Sequence, residues 1–328
     1  MRSTLIITAT LGLTNLAPAQ MFLLSPPMTV RFGVESDFDE STRIDNQHVD
    51  IELVYRSGGG FEGFFDGDVS GRLEFDTGHL YANSLTRLAM PSNPNFAFIG
   101  AAPGSTVWVM PQNQLSGRVF PGIAAESQSA SDRNQMLDWN PGDPRGGANN
   151  PGKWHELQLL DARMPPSAQF SIWQTQTGNV TRWMSTFDQS IDATDRVYYT
   201  SGAHTHHNFG FTHVGTYEID VQIRTFVNLN WLAGDTDLDG DVDFGDLLTL
   251  AQNYGTTRGM WWHKGDFGAD GAVGFDDLLA LAQNYGSAAS LTSEELVAGQ
   301  TLITSLVPEP STILVMLAPG LLLRRDRR

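Results

Sequence analysis

The chain has 328 residues, 41% of them hydrophobic, enough for one large or two modest packed domains and too apolar for a disordered polymer. A formal charge of -17 argues against nucleic acid and anionic membrane surfaces as partners, since both demand positive patches, and favours cations. With no cysteine there is no disulfide, no thiolate nucleophile and no Cys-ligated zinc, so a transition-metal site must be built from His, Asp or Glu.

Residues 1–19 read as a secretory signal: Arg2 gives the positive start, Leu5 to Leu13 a short apolar run, and Ala17-Pro18-Ala19 the small-x-small cleavage pattern. A buried first strand is the competing reading, and the apolar Met21-Phe22-Leu23-Leu24 leaves the cleavage point open. From 28 to 228 the pattern has period two. Val49, Ile51, Leu53 and Tyr55 alternate with His48, Asp50 and Glu52, which predicts a strand with one buried face. Further strands are expected at Arg72–Phe75, Phe96–Ile99, Thr106–Met110, Glu156–Leu160, Gln169–Trp173, Val197–Thr200 and Tyr217–Arg224, the last with Tyr217, Ile219, Val221 and Ile223 inward. The segment Ser131–Lys153, rich in Asp, Asn, Pro and Gly, reads as a long surface loop. No comparable helical periodicity interrupts these strands, so an antiparallel β-sandwich is the most economical architecture.

Four of the eight histidines fall between His204 and His213. On one strand, His204, His206 and Asn208 would share a face, with Phe209 and Phe211 on the other. His48 and Asp50 share a face in the same way. If those strands are neighbours, four metal-capable side chains (His48, Asp50, His204, His206) converge on one surface and could take Zn or Mn. The competing reading is a set of hydrogen-bonded polar residues at the border of a sandwich. His79, His155, His207, His213 and His263 are read as structural or exposed.

Gly234 begins a duplication: Phe244 to Gly255 returns 31 residues later as Phe275 to Gly286. Leu247, Leu250, Ala251 and Tyr254, then Leu278, Leu281, Ala282 and Tyr285, keep the i, i+3, i+4, i+7 spacing of a helix face. Before each helix lies an acidic loop. The first places Asp235, Asp237, Asp239, Asp243 and Asp246 at positions 1, 3, 5, 9 and 12, Gly240 at 6 and the Asp241 carbonyl at 7, the oxygen spacing of a calcium loop. The second has Gly268 at 3 and Gly274 at 9, leaving side-chain oxygens from Asp266, Asp270 and Asp277 with the Ala272 carbonyl at 7, so its site is expected to be weaker. Residues 234–286 carry ten Asp against Arg258 and Lys264, a net charge of -8 that calcium would relieve. Trp261-Trp262 serve either for sugar stacking or for packing between the two units.

Residues 287–306 read as a linker with capping-box spacing at Thr292 and Glu295. After it comes Val307-Pro308-Glu309-Pro310, an uncharged run Ile313–Leu323 and a closing Arg324-Arg325-Asp326-Arg327-Arg328. As a helix that run spans about 17 Å, short of the roughly 30 Å hydrocarbon core.

Three stretches resemble known families. Residues 234–286 resemble dockerin modules, paired calcium loop-helix units that dock onto cohesins; positions 10 and 11, Phe244-Gly245 and Phe275-Asp276, depart from the small hydroxyl residues that help choose a cohesin. The tail resembles the PEP-CTERM sorting signal, implying processing by an exosortase near Pro308, Glu309 and Pro310 and transient membrane contact through the tail, an ordinary tail anchor being the alternative. Residues 48–225 resemble the choice-of-anchor M domain of bacterial surface proteins through His48-Val49-Asp50, Ala101 to Gln112, and His204 to Phe211 followed by Gly215-Thr216-Tyr217, with Phe209 where Trp is usual. Relatives of that domain are associated with metal-type ABC transporters, which implies metal handling.

Together these imply a mainly β protein, an antiparallel β-sandwich followed by a small α-helical dockerin-like calcium pair, exported and held at the cell surface, outer membrane-associated or extracellular. The expected role is non-enzymatic: a β-domain for a ligand or metal and a calcium-dependent module for a cohesin-like or other docking protein. The alternative is an extracellular polysaccharide-active enzyme carrying a dockerin. No Gly-x-Ser-x-Gly elbow, His-Glu-x-x-His or phosphate loop marks a catalytic centre.

Overall fold

The structure, a computed structural model, describes residues 19–289 apart from 70, 146, 147, 188, 189 and 230. The expected signal, apart from Ala19, and the whole sorting tail with Pro308, Glu309 and Pro310 lie outside the described residues. In chain order the strands are β1 (Ala19–Leu24), β2 (Met28–Val34), β3 (Thr42–Ile44), β4 (His48–Arg56), β5 (Gly60–Gly67), β6 (Leu73–Glu74) and β7 (Gly78–Ala82). Next come β8 (Arg87–Ala89), β9 (Thr106–Met110), β10 (Phe120–Ala124) and the short helix α1 (Ala130–Gln135). β11 (Trp154–Arg163), β12 (Phe170–Gln176), β13 (Asn179–Ser185), β14 (Arg196–Thr200), β15 (His204–His206), β16 (Asn208–Phe211) and the long β17 (Gly215–Leu229) lead to helices α2 (Phe244–Asn253) and α3 (Phe275–Asn284).

These strands form three sheets. The first runs β14-β11-β17-β2-β7-β3, with β1 also on β17; the second β15-β10-β4-β5-β6; the third β13-β12-β16-β9-β8. β17 anchors the first sheet because its alternation is strict: Tyr217, Ile219, Val221 and Ile223 are buried as expected. The outward Glu218 and Asp220 instead meet Arg31, Arg163 and Thr29 on flanking strands. β2 and β1 occupy one edge of β17 in succession. Between them Pro26 and Pro27 cannot donate to a ladder, and Ser25 bridges the gap, its N–H donating to the Ile223 carbonyl at 2.8 Å and its Oγ accepting from the Ile223 N–H at 2.9 Å.

One core lies between the first sheet and the other two. Phe32 of β2 sits at its centre, with ring centroids 5.7, 5.8 and 5.4 Å from Phe170, Phe209 and Phe211 of the third sheet. Truncating so buried a ring costs about 3–5 kcal/mol. A second core cluster joins Tyr55, Val227, Leu229 and Trp231 of the β-region to Leu250, Trp262, Phe267 and Leu281 of the duplicated region, so the two parts are packed together.

Several expectations are corrected. The third sheet is wholly antiparallel as expected, but the first two are mixed, since β4 pairs with β10, β2 with β7 and β3 with β7 in parallel. Phe96–Ile99 is part of a 3-10 turn, Pro94–Ile99, because Asn93 caps it through the Asn95 N–H and Gly100 closes it with φ 77°. The loop Ser131–Lys153 begins inside α1, whose Ser129 and Asp132 form a capping box. The start of the supposed linker belongs to the duplicated region: Val242 N–H donates to the Ser287 carbonyl at 3.0 Å, and Ala289 N–H to that of Gly240 at 2.6 Å.

Candidate metal centre

β4 has no solvated face. Besides Val49, Ile51, Leu53 and Tyr55, its polar side buries Asp50 and Glu52, 3% and 2% exposed. Two carboxylates on one buried strand face need partners. Glu52 has them: it accepts from the N–H of Glu126 at 3.2 Å and the Oγ of Ser127 at 3.1 Å, and so braces the turn that carries Glu126. Burial still pushes its pKa up, against these hydrogen bonds.

The partners of Asp50 come from across the sheet. His204 and His206 are not on a neighbouring strand, as expected, because β10 stands between β4 and β15. Register restores the convergence: Asp50 lies opposite Gly122, and Gly122 opposite His206; Glu52 lies opposite Ala124, and Ala124 opposite His204. Gly122 is what lets the outer strands meet, since a β-carbon there would lie 2.1 Å from Asp50 Oδ1 and 3.3 Å from His206 Cε1.

Over this gap three imidazoles gather. Ring centroids are 5.6 Å apart for His48 and His204, 5.2 Å for His48 and His206, and 4.9 Å for His204 and His206. One ligand atom of each lies within 4.8 Å of the others, so the group could hold a metal ion. The outer contacts fix the tautomers. His206 Nδ1 is 3.0 Å from the Pro121 carbonyl, which can only accept, so Nδ1 carries the proton and Nε2 the lone pair. His204 Nδ1 likewise faces Glu126 Oε1 at 2.8 Å, leaving its Nε2. Phe120 stacks on His206 at 3.8 Å and 14°, fixing the ring plane.

Asp50 completes the set. Its Oδ1 is buried without a hydrogen-bond partner, and His48 Nε2 lies 3.5 Å away, too long for a good hydrogen bond. Burial raises its pKa, with His48 and His204 pulling the other way. Burial lowers that of His206, against the hydrogen bond to the Pro121 carbonyl, and so works toward the neutral form that a metal ligand requires. Asp50, Glu126 and His204 form a second, overlapping group of the same tightness. An orphaned carboxylate oxygen beside three imidazoles is a donor set of the kind that binds zinc or manganese.

The histidine segment itself is corrected. It is two strands in two sheets, broken at His207, so Asn208 turns away to Gln112 in the third sheet. His207 is buried at the switch, and burial lowers its pKa to about 3. Phe120-Pro121-Gly122 carries the local signature of a turn, which hides this strand from the sequence.

The acidic loops form a separate site. Both repeat one geometry: Leu238 and Ala269 at position 4 have φ 55° and 51°, and Gly240 and Gly271 at position 6 have φ 100° and 84°. Position 1 is buried in both, and burial raises Asp235 and Asp266 to about 7. Position 12 folds back in both, Asp246 accepting from Asp243 N–H and Asp277 from Gly274 N–H at 2.8 Å. In the first loop Asp235, Asp237 and Asp246, and also Asp241, Asp243 and Asp246, bring oxygens within 4.8 Å, and Asp235 Oδ1 is a buried orphan. Asp239 accepts from Asp241 N–H, and in the second loop Asp270 from Ala272 N–H; there the glycines at 3 and 9 leave no such carboxylate group among the described residues. Trp262 is buried, donating from Nε1 to the Asp235 carbonyl at 2.6 Å, so it packs the units together.

The helix faces differ from the expected stripe. Leu250 and Leu281 are buried and Leu247 and Leu278 half-buried, but Ala251, Tyr254, Ala282 and Tyr285 are exposed. With Phe244, Leu248, Phe275 and Leu279 they make two repeat-related apolar stripes facing solvent.

In comparisons with known proteins, the chain matches no family model, no curated protein and no solved structure.

Proposed function

We propose that this is an exported, surface-held, non-enzymatic binding protein whose β-sandwich domain takes a divalent transition metal, Zn or Mn, on His48, Asp50, His204 and His206. The single observation that carries this reading is the buried, unpartnered Oδ1 of Asp50, facing His48 and cleared by Gly122 toward His206. The dockerin-like region then folds around calcium, taken by Asp235, Asp237, Asp239, the Asp241 carbonyl, Asp243 and Asp246, and more weakly by Asp266, Asp270, the Ala272 carbonyl and Asp277. Its two exposed stripes, with Phe244 and Phe275 65% and 67% exposed, support docking to a cohesin-like or other protein. The PEP-CTERM-like tail supplies the surface location through exosortase-type processing. Elemental analysis of the full chain purified from its native host tests the metal: one Zn or Mn per chain supports it, and neither metal in excess of a His204→Ala/His206→Ala variant refutes it.

A further inference from the structure

A cavity of about 410 Å³ lies between the outer face of the first sheet and the second acidic loop. Its floor is polar sheet, with Glu156 and Gln158 of β11, Arg196 of β14 and Arg224 of β17; Arg258 and Asp270 of the duplicated region line it opposite. Arg196 and Arg224 approach one carboxylate from two sides, each placing Nη1 3.7 Å from Glu156. That is longer than a hydrogen bond. The Nε of both arginines is buried without a hydrogen-bond partner, that of Arg196 lying 3.9 Å from Asp143 Oδ2, while Glu156 Oε2 already accepts from the Tyr198 hydroxyl at 3.0 Å. The Arg224 guanidinium carbon sits over the Phe22 ring, 4.0 Å from its centroid.

Two under-bonded guanidinium groups in a partly enclosed space are a costly arrangement unless an anion completes it. Arg196, Arg224 and Arg258 against Glu156 and Asp270 give the cavity a net charge of +1 in a chain of -17. Arg258 is already committed, its two Nη atoms donating to the carbonyls of Ile191 and Leu159. One positive charge matches a monoanion, and the two carboxylates repel a dianion.

We infer that this cavity binds a small hydroxylated carboxylate of the sugar-acid class. The Arg196 and Arg224 forks take its carboxylate, and Glu156 and Gln158 take its hydroxyls. Because six of its fourteen lining residues come from the duplicated region, the site exists only while that region is packed on the sheet.

Calorimetric titration of the calcium-saturated full chain with glucuronate, glucose and sulfate tests this. Glucuronate is expected to bind one to one, with glucose and sulfate each at least about tenfold weaker. Arg196→Gln and Arg224→Gln should each weaken glucuronate by at least about tenfold. Thr257→Trp, at an exposed position on the cavity rim, should block it without removing a charge, so the proposal stays testable if an arginine variant fails to fold. No glucuronate binding, binding matched by glucose or sulfate, or binding indifferent to Arg224→Gln and Thr257→Trp overturns it.

Discussion

A β-carbon on Gly122 would lie 2.1 Å from the Oδ1 of Asp50. The glycine is therefore a requirement of the site rather than of the strand, whose backbone at that point is ordinary extended chain paired on both sides. Gly122→Ala should leave the fold intact, since the displaced atom is the end of a side chain, yet weaken metal binding by about 10- to 100-fold. Titration of zinc into the two metal-free proteins would show it; equal affinity would separate Gly122 from the site.

Asp50 predicts an opposite pair of effects on stability and binding. A buried carboxylate without a hydrogen bond is destabilising, and Asn has the same shape without the charge. In chelator at pH 8, Asp50→Asn should raise stability by roughly 1–3 kcal/mol while losing tight metal binding. Denaturant unfolding with and without zinc checks both. A variant less stable than the parent in chelator would make Asp50 a structural residue.

His155 sets an acid limit that is independent of either cation. It is fully buried, hydrogen-bonded to Gln128 at 2.9 Å, and burial lowers its pKa to about 3. The folded state thus binds fewer protons than the unfolded state between about pH 6.5 and 3, so stability falls as pH drops through that window and is unaffected above it. Order-of-magnitude linkage gives up to about 5 kcal/mol once the whole window is crossed. His155→Gln should flatten the decline in melting temperature between pH 7 and 4.5. An unchanged slope would place the loss elsewhere.

The acidic loops predict unequal calcium sites. The first loop gathers carboxylates that the second lacks, so calorimetry should resolve one tighter and one looser site, with Asp239→Ala removing the tighter. Because Trp231 and Trp262 pack across the junction with ring centroids 5.5 Å apart, chelating calcium should lower the stability of the whole chain, by about 2.7 kcal/mol where calcium had stood at a hundred times its dissociation constant. Equal affinities, or a β-region that melts unchanged without calcium, would contradict this.

Much of this was legible in residues taken singly. The inward faces of β4 and β17, the loop spacing and the four residues His48, Asp50, His204 and His206 follow from local periodicity and ligand chemistry. What was not legible depended on strands distant in sequence. Nothing local announces that Phe120-Pro121-Gly122 is an inner strand, because proline and glycine both favour turns, and only its parallel pairing with β4 gives that glycine a purpose. The break at His207 was hidden for the same reason: alternation continues through it while the chain changes sheets. On α2 and α3, a repeat apolar on more than one side could not say which side is covered.

The central claim is most directly tested by calorimetric titration of zinc, then manganese, into the metal-free full chain at saturating calcium. The account predicts one site per chain of micromolar affinity or tighter for at least one of these metals, absent from His204→Ala/His206→Ala while both calcium sites persist. Identical isotherms for the parent and the variant would contradict it.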